Sequence, residues 1–199
     1  LGDKCHEAFT EKKPNCPPKP KGGGGTSSPR NSCEPNDIYG YLSPSGSKFI
    51  AKDSVDMVNY RIEFENDPIF ATSAAHVVDV RDTLDARYFD LSTFVPTYFT
   101  IAGNREQLDG TVNFVRTVDM RPKINTIVQV KCIYEEHTGA IRWLFTSLDP
   151  MTIEPTKDVM QGFLPANTDG TSGIGDVGYR IGLKKGLVDG TKIPNRASN

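Results

Sequence analysis

The chain has 199 residues, of which 37% are hydrophobic and 24% charged, with 23 Lys and Arg against 25 Asp and Glu. This near balance of charge excludes the electrostatic drive that brings proteins to nucleic acid or to anionic membranes. No run approaches the roughly 18 apolar residues of a membrane span, and residues 1–20 lack the apolar core of a secretion signal. We therefore predict one domain with a tail, without nucleic-acid partners or membrane insertion.

The tail, residues 1–32, is rich in Pro, Gly and Ser and ends in the run 22–25 of four glycines followed by a Thr/Ser stretch. Such a composition cannot bury enough apolar surface to offset chain entropy. We predict a disordered linker there and a folded domain over residues 33–199. The linker holds the one basic cluster of the chain, which we interpret as solvated: Lys12, Lys13, Lys19 and Lys21.

Three of the four cysteines lie in or next to this linker. In an oxidising compartment, Cys5 and Cys16 form a plausible local loop, one of three pairings that four cysteines allow. Cys132 lies instead within an apolar alternation, which favours a small buried hydrophobe over a disulfide to Cys33. A zinc site at Cys5, Cys16, Cys33 and His6 is disfavoured, because the spacing matches no finger or ribbon.

Apolar and polar residues alternate along several segments, which puts one face of each segment in a core and the other towards water. The predicted strands, separated by Gly, Pro, Asn and Asp turn residues, are 48–51, 56–65, 75–83, 97–102, 111–119, 124–135, 140–148, 176–184 and 190–198. No segment repeats with a helical period, so helices should be short or absent. The pattern predicts an all-β, Ig-like antiparallel β-sandwich. The last strand stops in mid-pattern, and we expect the domain to continue beyond this fragment.

Three features of these strands carry specific expectations. The clearest hairpin joins 124–135 to 140–148. The only tryptophan, Trp143, alternates with polar neighbours and should lie in the core rather than on a carbohydrate-binding face, for which Tyr39, Tyr41 and Tyr98 are weaker candidates. The long connection 149–175 should fold on itself, with Phe163 and Leu164 tucked inward.

Acidic residues cluster in three places: before the body, at the end of the strand at 56–65, and on and after the strand at 75–83. Ca²⁺ prefers six to eight carboxylate, amide and carbonyl oxygens, and loops at one end of a sandwich can converge to supply them. We predict a calcium site, against the alternative that these residues only cap turns. Its ligands would be drawn from Glu34, Asn36, Asp37, Glu65, Asp67, Asp82 and Asp85.

Other chemistry is weakly indicated. A second oxygen-rich group, with self-packing as the favoured interpretation, is formed by Asp149, Asp158, Asn167, Asp169 and Asp176. A hydrolase built on His76 lacks a nucleophile elbow, and no nucleotide-binding or zinc-protease motif is present. An isopeptide bond between Lys48 or Lys52 and Asn195 or Asn199 would need a buried acid beside it. We predict no enzymatic activity, and the sequence defines no ligand-binding residues.

An ordered string of motifs resembles an uncharacterised Ig-like domain of large secreted or surface bacterial proteins. The matching segments span residues 33–199 and comprise 33–37, 58–67, 80–85, 90–94, 143–150 and 162–167. Two departures are Glu34 in place of an aspartate and the absence of a final Phe-Asp-x-Asn segment. The resemblance implies a non-catalytic module beside repeat and adhesin-like domains.

The function expected from these observations is structural. We predict an adhesion-associated module of a secreted or cell-surface protein, stiffened by Ca²⁺ and in contact with neighbouring domains of the same polypeptide. The alternative is an appendage of a secreted enzyme that binds glycan or a host or cell-surface protein through loops 34–47 and 149–175.

Overall fold

The computed structural model describes residues 36–41 and 57–197, and within them the protein is all-β, as predicted. The predicted linker 1–32 and strand 48–51 lie outside the described residues. The strands are β1 (Asn36–Tyr41), β2 (Met57–Glu65), β3 (Val77–Thr83), β4 (Phe89–Ile101), β5 (Asn104–Gln107), β6 (Phe114–Asp119), β7 (Ile127–Glu135), β8 (Ala140–Leu148) and β9 (Ile174–Leu183).

The strands form two antiparallel sheets, which is consistent with the predicted β-sandwich. One sheet has the order β1-β2-β9-β4-β5 and the other the order β3-β8-β7-β6. The predicted hairpin is confirmed as β7 and β8, which pair from Ile127 with Leu148 to Glu135 with Ala140. The described residues include no helix, and none of them can therefore cross a membrane as a long apolar helix.

The inner faces of both sheets form one aromatic-rich core. The alternation of β2 is confirmed, since Val58, Tyr60, Ile62 and Phe64 are all buried. Trp143 is fully buried, as predicted, and meets the ring of Phe114 edge-on at 5.8 Å.

Two further predictions about the core are confirmed. Phe163 and Leu164 turn inward from the long connection and are fully buried. Cys132 is a free, buried thiol, as its interpretation as a small hydrophobe predicts.

The structure corrects two of the predicted strands and adds two that were not predicted. β1 and β5 were not predicted, and β4 begins at Phe89 rather than at residue 97. Pairing of β4 with β9 shifts register between Asp90 and Val95 and again after Pro96, so its alternation is broken. The strand predicted at 190–198 is not formed over the described residues 190–197, of which Ile193 and Ala197 pack against the core.

The sandwich has two ends with different roles in the chain path. At the entry end, β1 begins and β2 ends, and the loops 66–76 and 149–173 meet. At the exit end, β9 ends and the segment 184–197 follows it. The register places Asn36 opposite Phe64, next to the loop 66–76.

Candidate functional site

The structure distributes the predicted calcium ligands over both ends of the sandwich. Glu65 and Asp67 lie at the entry end, where the backbone of Asn36 and Asp37 pairs with the last residues of β2. The ligands predicted on and after β3, Asp82 and Asp85, lie at the exit end, and Glu34 lies outside the described residues. Among the described side chains, Glu65 and Asp67 therefore lie at the opposite end from Asp82 and Asp85, so these four carboxylates do not form one cluster. The described side chains include no group of three or more His, Cys, Asp or Glu arranged around a metal ion.

Several of these carboxylates are engaged in local bonds. Asp67 accepts the amide of Ile69 at 2.8 Å, which closes a turn. Half-buried Asp85 accepts from the guanidinium of Arg87 at 2.8 Å, and its bonds to Arg87 lower the pKa of its carboxyl. Glu65 accepts from the side-chain amide of Asn167 at 2.8 Å.

A network of buried amides joins the two loops of the entry end. The side chain of Asn66 donates to the carbonyls of Ser73 and Leu164, both at 2.9 Å. Its backbone amide donates to Gly173, and its carbonyl accepts from Asn167, again at 2.9 Å. A β-carbon at Gly173 would lie 2.5 Å from Asn167, so only glycine permits this approach. The long connection is thereby tied to the end of β2.

A buried acid at the exit end holds the C-terminal segment against the core. Asp82 is only 3% exposed and accepts bonds from the Tyr179 hydroxyl and from the Asn195 amide, the latter at 3.0 Å. The Asn195 amide also donates to the Tyr179 hydroxyl at 3.0 Å, and the amide of Thr83 donates to Asp82 at 2.7 Å. Asp82 thus links the end of β3 to β9 and to the segment 184–197.

Burial sets the ionisation of this group. It raises the pKa of Asp82 in spite of the hydrogen bonds that favour its charged form. The pKa values of Tyr179 and Tyr60 are raised by burial and by the nearby Asp82. The two tyrosine rings stack with centroids 5.3 Å apart.

The buried acid that an isopeptide bond would need is therefore present beside Asn195. The other residues of that hypothesis, Lys48, Lys52 and Asn199, lie outside the described residues. The isopeptide bond, which the sequence disfavours, is therefore left untested.

The outer face of the five-stranded sheet carries a second polar cluster, which brings together Asp176 and Tyr98, two residues that the sequence placed in separate groups. Asp176 is buried there and accepts from Arg61 at 3.2 Å. The ring of Tyr98 lies over Gly178, where a β-carbon would come within 2.2 Å of the ring. The guanidinium of Arg105, a residue of strand β5, lies 3.5 Å from the centre of the same ring. Burial and the bond to Asp176 raise the pKa of Tyr98 to about 12. Tyr98 is thus built into the sheet.

A shallow depression of about 470 Å³ opens at the exit end. It is lined by Ala86, Phe89, Asp90, Leu91, Ser92, Glu136, His137 and Lys184. The Ser92 hydroxyl donates to Asp90 at 2.7 Å, which gives the serine a structural partner. His76, the histidine of the hydrolase alternative, lies at the entry end next to β3.

The chain matches no family model, no curated protein and no solved structure. The resemblance to an Ig-like domain of secreted bacterial proteins therefore rests on its motifs alone and stays a prediction. The function has to be argued from the geometry of the chain.

Proposed function

We propose that this protein is a non-catalytic, Ig-like structural module of a secreted or cell-surface bacterial protein, associated with adhesion. Its role is to transmit tension between neighbouring domains of the same polypeptide. The observation that supports this role is the chain path: β1 begins at one end of the sandwich, and β9 runs to the other end, where the segment 184–197 follows it and is held through Asn195.

This path determines how the sheet meets a pulling force. β1 and β9 flank β2 and are both antiparallel to it, so they run in the same direction. Tension on the two ends of the domain pulls the start of β1 away from the entry end and the end of β9 away from the exit end. Both forces act parallel to the strands. Backbone hydrogen bonds lie perpendicular to the strands, and the six pairs of β1 with β2 and the nine of β2 with β9 are therefore loaded together in shear.

The distribution of strands supports the Ig-like part of the proposal. Constant-type immunoglobulin domains place strands A, B, D and E in one sheet and C, F and G in the other. The first seven strands here divide between the sheets in the same way. The order differs in two ways: β8 lies between β3 and β7 and β9 between β2 and β4, and the edge strands are β5 and β6 where an immunoglobulin domain has its fourth and seventh strands.

The proposal predicts that resistance to force depends on where the protein is held. Single molecules are stretched between cysteines introduced by Asn36→Cys and Lys184→Cys, in a chain whose Cys5, Cys16 and Cys33 are serine. The comparison is with handles at Asn36→Cys and Ile69→Cys, which lie at the same end and peel β1 from β2 one bond at a time. We expect a several-fold higher unfolding force in the first geometry, because its bonds must break together. Equal forces in the two geometries would contradict the proposed role.

The calcium part of the proposal is confined to the entry end, where Glu65 and Asp67 adjoin the start of β1. Binding at about 100 times Kd stabilises a fold by about 2.7 kcal/mol, which corresponds to a rise in Tm on the order of 5 °C for a body of this size. We expect the Tm measured at saturating Ca²⁺ to exceed the Tm measured in the presence of chelator by this amount. Asp67→Asn should abolish it and Asp85→Asn, at the opposite end, should preserve it. A Tm that chelator leaves unchanged removes calcium from the account.

The alternative function, a glycan- or protein-binding appendage, has one observation in its favour. Register places Tyr39 and Tyr98 in one cross-strand row on the outer face, with Arg61 and Gly178 between them. The ring of Tyr98, however, has Gly178 and Arg105 against it, and stacking on a sugar would require Arg105 to move. Glycan-array binding that is lost in Tyr98→Ala would establish this alternative.

A further inference from the structure

The entry end exposes a group of large apolar side chains on its two joined loops. Met151 is 93% exposed, Ile69 68% and Met160 66%, and Ile153 and Val159 are exposed on the same loop as the two methionines. Five of the nine exposed large hydrophobic residues among the described residues lie on loops 66–76 and 149–173. Methionine is common at adaptable protein-binding surfaces, and grouped exposed apolar residues indicate an interaction site.

The same loops are acidic. They carry five acids against one lysine, a net charge of −4: Asp67, Asp149, Glu154, Asp158 and Asp169 against Lys157. Hydrogen bonds from Ser172 and Thr171 lower the pKa of Asp169, which favours the charged form of this carboxyl. A partner for this surface should be basic and should also present apolar groups.

One segment of the chain has this chemistry and is attached at this end. Residues 12–30 contain five lysines and arginines, no acid and five prolines. Only five residues separate this segment from Asn36, which starts β1 opposite Phe64 at the entry end. A linker of that length spans roughly 20 Å when extended, which keeps the segment at high local concentration near the loops.

We propose that residues 12–30 dock on the apolar and acidic loop surface at the entry end of their own domain. Lysines of the segment face the carboxylates of the loops, and its prolines cover the exposed methionine, isoleucine and valine side chains. Proline restricts the free segment and so lowers the entropic cost of docking. Docking shortens the tether at the entry end, which goes beyond the tension-bearing role proposed above and does not depend on it.

The test uses the full chain with a spin label on Cys16, which lies between the lysine pairs. Cys5 and Cys33 are replaced by serine, and the buried Cys132, whose pKa burial raises to about 12, does not react. The four methionine methyl groups are labelled with ¹³C: Met57, Met120, Met151 and Met160. We expect Met151 and Met160 to lose most of their signal intensity at low salt, while Met57 at the exit end keeps it.

Charge and connectivity supply the controls. The loss of signal should disappear at about 1 M salt, where the screening length falls to about 3 Å, and after Lys12, Lys13, Lys19 and Lys21 are changed to Glu. The matched double variant Lys184→Glu, Lys185→Glu at the exit end should leave it unchanged. Signal loss that is absent, or equal for all four methyls, overturns the proposal. A mixture of spin-labelled molecules with separate ¹³C-labelled molecules tests for docking between copies. Signal loss that occurs only in this mixture would also overturn the proposal, because it would identify a second copy as the occupant.

Discussion

Replacing Asp82 with alanine lowers the free energy of unfolding by about 3 kcal/mol, because it leaves buried donors without an acceptor. The Tyr179 hydroxyl and the Asn195 amide both lose their bond to the carboxyl. The segment 184–197 should then detach, since Asn195 provides its polar anchor. Urea unfolding monitored by circular dichroism measures the loss, and hydrogen exchange of residues 191–197 reports the detachment.

Two variants show that the loss comes from the buried network. Asp82→Asn keeps the shape and one acceptor, and we expect a smaller loss of about 1 kcal/mol. Asp79→Ala removes an acid of the same strand that faces water and pairs with Arg142 at 2.8 Å, and its effect should stay within about 0.5 kcal/mol. An Asp82→Ala protein as stable as Asp79→Ala would show that the carboxyl does not anchor the segment.

The raised pKa of Asp82 also predicts how this effect changes with pH. The folded protein keeps the Asp82 proton to a higher pH than the unfolded chain, where an aspartate titrates near 3.9. The folded state therefore binds more protons in this interval, and stability falls as pH rises from about 4 through the raised value. The Asp82→Asn protein has no carboxyl to titrate at this position. The difference in unfolding free energy between the wild type and Asp82→Asn should therefore shrink as pH rises from about 4 through the raised pKa. Acids elsewhere with lowered pKa values are common to both proteins and cancel in the difference.

Trp143→Ala should destabilise the protein by about 3–5 kcal/mol, the range for removing a large aromatic side chain from a packed core. Trp143 is fully buried and is registered against Cys132 on one neighbouring strand and Val80 on the other. Its indole nitrogen has no hydrogen-bond partner in the described structure, and Trp143→Phe should therefore lose only packing and cost less. The midpoint of urea unfolding, followed by circular dichroism because the only tryptophan is removed, measures both.

The neighbouring residue provides the control for this effect. Leu144 lies on the same strand, points to the opposite face and is only half-buried. Leu144→Ala should cost about 1 kcal/mol or less, because little cavity is left behind. Similar losses in Trp143→Ala and Leu144→Ala would contradict the assignment of the two faces of β8.

The strands that alternate cleanly were predictable from the sequence. β2 keeps a period of two over nine residues and β7 and β8 over eight each, and their predicted positions agree with the structure within a few residues. β4 was predicted only in its second half, because the shifts around Val95 and Pro96 place successive residues out of alternation. β1 contains too few large apolar residues to stand out as a strand.

The polar clusters could not be predicted, because each depends on partners far apart in the chain. Asn66 bonds to Leu164, 98 residues away, and Asp82 bonds to Asn195, 113 residues away. In the sequence Asp82 looks like a calcium ligand or a turn cap, and Asn66 only lies between two predicted ligands, Glu65 and Asp67. Only the packing of the loops shows that Asn66 joins two of them and that Asp82 lies inside the core.

The distance between the two ends of the chain path tests the account most directly. Spin labels at Asn36→Cys and Lys184→Cys report it by pulsed electron resonance, with Asn36→Cys and Ile69→Cys as the same-end pair. Strand rise and spacing predict about 30 Å between the backbones of the first pair and a clearly shorter distance for the second. A first distance below about 15 Å would place entry and exit at the same end, and the shear geometry on which the proposed function rests would be wrong.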